Sequence, residues 1–532
     1  MNRFKKFLLN GAILTVTSVV MRMIGVSFNV YISNTVGAEA MGLFTLISTV
    51  YGFALTLATS GISLATTKLV SEELARKDNS TYRSVRGVMR SCIGYGVIFS
   101  LLASLLLYFL AEPISISLLR DERCVSSLKL FSLTLLPISL SAVIGGYFTA
   151  VRKVYKNAIC QVVEQFIRIF ASVFLLTRIF AKDVESACIC IVAGGTAAEI
   201  LSFLIRLFGY ILDRKKADEK PPERAREQGY RKKLLGISLP LAFSAYVRSA
   251  LITIEHVLIP RGLEKSGASR ELSLAAYGTV QSMVFPIIFF PSALLSSFAG
   301  LLVPELSCSS AERDLRCTQR IVSNVFEYSL IFGIGVAGIM TSFSYALGDV
   351  IYPATDAGAY IRLIAPLIPI MYLDTAVDSM LKGLGEQVYS MGVNIVDSLL
   401  SVILVTVLLP KYAIYGYIMT VYFTETVNST LSIHRLLKKS RIKPLVIRRV
   451  FIPLLSVILS TLISKHLPLS SLMNALPDTA KITLDIAEAA AAYILLLFLF
   501  GALRIEKIKK GVSLLKKDKK HHKYYKNIIK SS

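Results

Sequence analysis

Apolar segments long enough to cross a lipid bilayer recur along the whole chain, and that recurrence constrains its fold more than any other feature. They lie at about 8–34, 41–67, 91–111, 130–151, 157–181, 186–212, 234–260, 275–303, 321–348, 358–381, 388–410, 412–434, 450–468 and 482–503. A helix of about 20 apolar residues spans the hydrocarbon core, so these segments predict fourteen transmembrane helices. Several carry a helix breaker, such as Pro240, Pro286, Pro291 and Pro366. A bundle tolerates such breaks because neighbouring helices satisfy the freed backbone groups. Of the 532 residues, 54% are hydrophobic and 18% charged, against about 25% charged in a soluble chain. Too little polar surface is left to face water, which excludes a secreted disulfide scaffold, a disordered chain and an ordinary cytosolic enzyme. The predicted fold class is an all-α polytopic membrane protein.

Charge tests the order of crossings. With the N-terminus inside and strict alternation, 44 of the 59 Lys and Arg residues fall in predicted internal segments and 11 in external ones. The remaining four, Arg22, Arg168, Arg248 and Arg362, lie within spans. This bias obeys the positive-inside rule. Adding or dropping one span would scramble it, so an even count and two cytoplasmic ends are expected together. The net charge of +24 then reflects cytoplasmic loops and anionic lipid headgroups rather than nucleic acid. Arg3, Lys5 and Lys6 precede an apolar stretch that runs to about Ser33 and reads as a retained first span. The seven cysteines show no metal-ligand spacing, and Cys188-Ile189-Cys190 lacks the CxxC interval; all read as small apolar packing residues.

The longest polar loop, 213–233, contains Pro221-Pro222 and separates the sixth span from the seventh. The two sides of it echo one another. Lys5-Lys6 and Gly11 precede Arg22 by eleven residues from the glycine, and Lys232-Lys233 and Gly236 precede Arg248 by twelve. Met41-Gly42-Leu43 likewise matches Tyr277-Gly278-Thr279. The expected organisation is a first six-helix lobe at 1–212, the linker, a second lobe at 234–437, two extra helices at 445–503 and a basic tail at 504–532. Repeats of this kind place a substrate path at their interface. The tail holds eleven Lys and Arg residues and reads as a solvated cytoplasmic end, with anionic-lipid binding as its functional reading.

Ionisable residues inside spans are costly and point to function. Arg22 and Arg248 suit a phosphate, which a guanidinium grips with two parallel bonds; a structural ion pair is the alternative, and Glu255 stands seven residues after Arg248. Gln161, Glu164, Gln165 and Arg168 share one helical face, which predicts a structural polar seam. Glu199, Glu327 and Glu425 are single acids without evident partners. Asp374, Asp378 and Lys382 form one stripe, with Asn394 and Asp397 in the next span. These acids and the amide are candidates for coupling to Na⁺ or H⁺; an Asp378–Lys382 helix pair is the plainer account of Asp378. No nucleotide-binding loop, HExxH or GxSxG motif is present, so neither an ATP-driven pump nor a membrane hydrolase has visible chemistry, and no cofactor is expected.

Several stretches resemble the polysaccharide-exporter branch of the MOP superfamily, which also holds MATE multidrug antiporters and MurJ-type lipid II flippases. They are Arg22-Met-Ile-Gly25 with Val36 to Phe44, Gly61 to Val70, Gly145-Gly-Tyr-Phe148 and Gln161 to Arg168. In the second half they are Ala276-Tyr-Gly278, Leu302 to Ser307 and Leu381 to Glu386. The chain is similar in particular to stage V sporulation protein B-like proteins. The resemblance implies two six-helix lobes around a central cavity that opens alternately to either side. It implies transport of an undecaprenyl-linked sugar across a bacterial cytoplasmic membrane for peptidoglycan or another envelope polysaccharide, with cell-wall synthesis proteins as partners. The chain departs from the family pattern at Asn29, where a second basic residue often stands, which weakens a two-cation grip from span one. An ion-coupled exporter of small organic cations and a non-transporting wall-synthesis scaffold are the competing functions.

Overall fold

The structure, a computed structural model, describes residues 3–59, 61–75, 81–179, 183–215, 229–295, 306–307, 309–310, 314–442, 446–468 and 477–503. Most of the predicted linker, the whole basic tail 504–532 and Cys308 lie outside these. Among the described residues the secondary structure is helical, with no strand. Helices α1 (Arg3–Thr59), α2 (Ile62–Ala75), α3 (Thr81–Pro113), α4 (Val125–Ser132), α5 (Leu135–Ala150), α6 (Val154–Arg178) and α7 (Val184–Lys215) build the first lobe. The second is built by α8 (Tyr230–Lys265), α9 (Arg270–Gly278), α10 (Phe285–Phe289), α11 (Leu315–Ser342), α12 (Ser344–Ile351), α13 (Ala357–Ile364), α14 (Ile368–Gly383) and α15 (Gln387–Ser440). Helices α16 (Val446–His466) and α17 (Asp478–Leu499) follow.

Among the described residues eleven helices are long and apolar enough to cross a membrane, or twelve when the α4–α5 pair, bent by 41°, counts as one crossing. The sequence-based count of fourteen exceeds this, and the difference rests on two elements. Helix α1 has 57 residues and α15 has 54, each more than twice what one crossing needs. Each is broken once, α1 at Gly37 (φ 85°) and α15 at Ala413 (φ 51°). Gly37 supplies the left-handed backbone that other residues adopt only at a cost. Ala413 takes a positive φ with a Cβ present, next to Pro410, which already lacks an N–H for the helix ladder.

Helix surfaces point apolar side chains outward. Phe109, Phe170, Phe243 and Leu499 are 71–74% exposed, an arrangement suited to lipid and not to water. Inside, Thr45, Thr49 and Thr56 each donate to the carbonyl four residues back, a local bond that lets a hydroxyl enter an apolar bundle. The last two helices pack on α11. There the Tyr493 hydroxyl donates to the Ile331 carbonyl at 2.7 Å, and Arg449 lies 3.6 Å from Glu327. Glu327, unpartnered in the sequence reading, thus has a cation from a distant helix. At the end of α14, Lys439 and Arg435 hold the Glu386 carboxyl below the usual carboxylate range.

The lobes meet along α1, α8 and α9. Thr253 donates to the Thr49 carbonyl at 3.4 Å and Tyr246 to the Leu57 carbonyl at 3.3 Å. Gly42 and Gly278 mark the tightest crossing. A Cβ on Gly42 would lie 2.0 Å from the Leu274 carbonyl oxygen, and one on Gly278 would lie 2.2 Å from that of Ala38. The two glycines that echo one another in sequence therefore touch, one from each lobe.

Candidate functional site

A cavity of about 330 Å³ lies between the lobes. Its walls include Arg22, Val26 and Asn29 from the first half of α1, Phe44 from the second half, and Ser282 and Pro286 from the second lobe. Ser282 belongs to a π-helical turn, Thr279–Val284, a geometry that recurs at functional sites. Pro286 has no N–H to offer the Ser282 carbonyl four residues back; the Asn29 amide donates to that carbonyl instead, at 2.5 Å. The position where a second cation was expected thus ties the lobes together. Arg22 donates one Nη2 bond to the Phe289 carbonyl at 2.9 Å, at the end of α10, where helix carbonyls lack N–H partners and attract cations. It makes no ion pair with the described residues and is exposed to the cavity. A guanidinium carries five N–H donors, so most of its capacity is uncommitted. The ion-pair alternative for Arg22 finds no acid here.

Arg248 is exposed on α8 and does not border this cavity. It lies close enough to Asp374 and Asp397 to act electrostatically on both. Glu255 does not neutralise it; that carboxylate accepts from Ser401 at 2.5 Å. Glu255, Asp374, Asp397 and Glu425 come from α8, α14 and both halves of α15, and act on one another electrostatically. One oxygen of Asp374 and one of Asp397 are buried without a hydrogen-bond partner. Asp378 also acts on Asp374 but is itself paired: Lys382 lies 2.7 Å from it and Ser390 donates to it, the plain helix pair. The Asn394 amide donates to the Ser390 carbonyl of its own helix at 2.9 Å. No group of three or more His, Cys, Asp or Glu side chains among the described residues is arranged to hold a metal ion.

The first lobe is built differently. Arg168 bonds Glu164 at 3.1 Å and Glu199 at 2.9 Å; Arg206 bonds the other oxygen of Glu164 at 3.2 Å, with Ser202 donating to it at 3.0 Å. Two cations meet two anions, and the set is neutral. Of the residues expected to form a seam, Glu164 and Arg168 are brought together, and they meet Glu199, Ser202 and Arg206, which sequence spacing did not connect because they lie on α7. Gln161 is exposed, and the Gln165 amide lies against Gly25 of α1 rather than in the seam. Arg168→Ala should leave Glu199 without its cation and lower stability on the order of 2 kcal/mol. A thermal midpoint in detergent equal to that of the unmodified protein would show that the seam does not hold α6 to α7.

Two helical lobes, a cavity between them and charged groups inside the spans are features this fold shares with membrane transporters of known structure. The chain resembles the lipid II flippase MurJ in an inward closed conformation, with TM-score 0.68 and 15% identity over 92% of this chain and 98% of that one. It also resembles an inward-facing MATE family multidrug resistance transporter, with TM-score 0.62 and 12% identity over 81% of this chain and all of the other. Residues 7–304, more than half of the chain, match the family described as polysaccharide biosynthesis protein, and the chain belongs to that family. Among curated relatives, stage V sporulation protein B of Bacillus subtilis is 22% identical over 517 residues, covering 95% of this chain and 97% of that protein. Lipid II flippase MurJ of the same organism is 27% identical over 186 residues, a third of each chain. Family and neighbours are transporters and flippases rather than enzymes.

Proposed function

We propose that this protein carries a lipid-linked sugar intermediate of envelope polysaccharide or peptidoglycan synthesis across the bacterial cytoplasmic membrane by alternating access of its two lobes. The observation that carries the reading is Arg22: a guanidinium that, among the described residues, has one carbonyl partner and no acid, in a cavity between the lobes. An unpaired arginine at mid-span costs at least about 2.5 kcal/mol, and an anionic headgroup offsets that cost. Arg248, exposed on the first helix of the second lobe and free of hydrogen bonds to the described residues, is the second headgroup candidate. The similarity to stage V sporulation protein B and to MurJ supports the cargo class. In this reading α1 and α15 each cross twice, giving fourteen crossings with both termini cytoplasmic, and the tail meets anionic lipid.

The contrast between the lobes supports coupling to Na⁺ or H⁺. The α6–α7 seam of the first lobe is neutral, whereas the second lobe holds four acids that act on one another, of which Asp374 and Asp397 lie near Arg248 and each keep one buried oxygen unpartnered. Asp374 and Asp397 are the coupling residues in this reading, with Glu255 and Glu425 beside them. Asp374→Asn and Asp397→Asn should each flatten the Na⁺ or pH dependence of transport; profiles identical to the unmodified protein in both variants would remove the coupling role. The same acid surplus favours a second reading, export of small organic cations. Proteoliposomes loaded with a labelled undecaprenyl-pyrophosphate sugar separate the two. Accelerated flipping supports the first; no flipping together with ion-driven efflux of a cationic dye establishes the second.

A further inference from the structure

We propose that Arg261 and Arg270 form a latch that holds the lobes shut at the expected external end, and that transport requires its release. Helix α3 continues as a π-helical turn, Ile114–Leu119, and stops at Arg120 in a left-handed conformation (φ 56°). The Asp121 N–H takes the Ser115 carbonyl, which leaves the last carbonyls of the turn to find other donors. They find them across the lobe boundary. Arg261, near the end of α8, donates to the Ser117 carbonyl at 2.9 Å and also to that of Leu118. Arg270, the first residue of α9, donates to the Leu119 carbonyl at 2.6 Å.

Charge reinforces the contact. The carbonyl end of a helix is negative, and Asp121 lies 3.9 Å from Arg270 Nε. Within the second lobe, Glu264 accepts from Arg270 at 2.6 Å and aims its fork. Within the first, Arg123 ties Asp121 to Glu39 at 2.8 and 2.9 Å, so the receiving side is itself braced. The latch flanks the Gly42–Gly278 crossing, and Asn34 adds a bond to the Ile351 carbonyl at 2.8 Å.

Two features make this contact releasable. Arg270 and Glu264 keep 23% of their side-chain surface exposed, so water reaches them as the lobes part. Carbonyls and guanidiniums freed by separation are satisfied by water, so opening leaves no orphaned buried charge. A lysine pair would keep the charge but lose the planar fork.

The inference rests on the alternating-access reading, but its test needs no cargo. The full chain, with its native cysteines replaced and Val26→Cys added as a cavity reporter, is labelled in intact cells by a membrane-impermeant maleimide. Arg261→Ala with Arg270→Ala should raise the external labelling rate by about fivefold or more, the population shift expected when a charge-assisted contact is lost. Arg261→Lys with Arg270→Lys should raise it less. An unchanged rate in the double alanine variant overturns the latch. Should that variant not reach the membrane, Glu264→Gln and Arg270→Lys are read on the same scale: a faster rate in either supports the latch, and no change in both overturns it. Faster labelling without flipping of the sugar lipid would reject the cargo and keep the latch; active flipping with unaltered labelling would reject the latch alone.

Discussion

Arg22→Ala is expected to slow flipping of a labelled undecaprenyl-pyrophosphate sugar by about tenfold to a hundredfold, at matched membrane levels. The size follows from one lost charge-assisted contact, worth about 1.5–3 kcal/mol. Arg22→Lys should recover only part of the rate, because an ammonium keeps the charge but not the two-pronged geometry. Folding should suffer little. Arg22 gives a single bond to the protein, at the Phe289 carbonyl, and Ser292 also donates to that carbonyl at 2.6 Å, so the helix end stays capped. The second-lobe counterpart, Arg248→Ala, and the double alanine variant complete the comparison. Near-normal flipping by both single variants and the double would reject an anionic headgroup site at these arginines.

Gly278→Val should have the largest structural effect of any single change outside the charged groups. Even a Cβ there would lie 2.2 Å from the Ala38 carbonyl oxygen and 2.5 Å from the Gly42 nitrogen, and backbone cannot rotate away as a side chain can. Overpacking a core by a methylene or two costs about 1–3 kcal/mol; a clash between two backbones should reach the upper end of that range or beyond it. Gly42→Ala, which would meet the Leu274 carbonyl oxygen at 2.0 Å, should behave alike. The measurement is the thermal midpoint and the monodisperse fraction after extraction. A Gly278→Val protein that melts with the unmodified chain would show that the lobes do not cross at these glycines.

Much of the membrane architecture was legible because the bilayer imposes length and polarity on every span separately. The apolar segments around α3, α6, α7, α11 and α17 needed no partner to be found. Breaks were harder to place. The turn at Gly37 announces itself by its glycine, whereas Ala413 carries no residue-level signal for a positive φ. The candidate site was legible in part, because an arginine amid twenty apolar residues is chemically conspicuous. Arg22 was found that way and does border the cavity. Arg248 was found with it, yet stands among the acids of its own lobe.

Partner identity is where sequence reading stopped. Helical spacing links residues three and four apart, so Glu164–Arg168 and Asp378–Lys382 could be paired on paper. It says nothing about Glu199 reaching Arg168 from another helix, Arg449 reaching Glu327, or Ser401 reaching Glu255. Asn29 looked like a missing cation; only its neighbourhood shows that it bonds the Ser282 carbonyl that Pro286 leaves free. The amino-acid sequence by itself determined that this chain is a helical bundle in a membrane, because each span must bury its own backbone whatever its neighbours are. Tertiary structure alone decided which charges are neutralised, which face a cavity and where two glycines let the lobes touch, because those outcomes depend on distances between segments hundreds of residues apart.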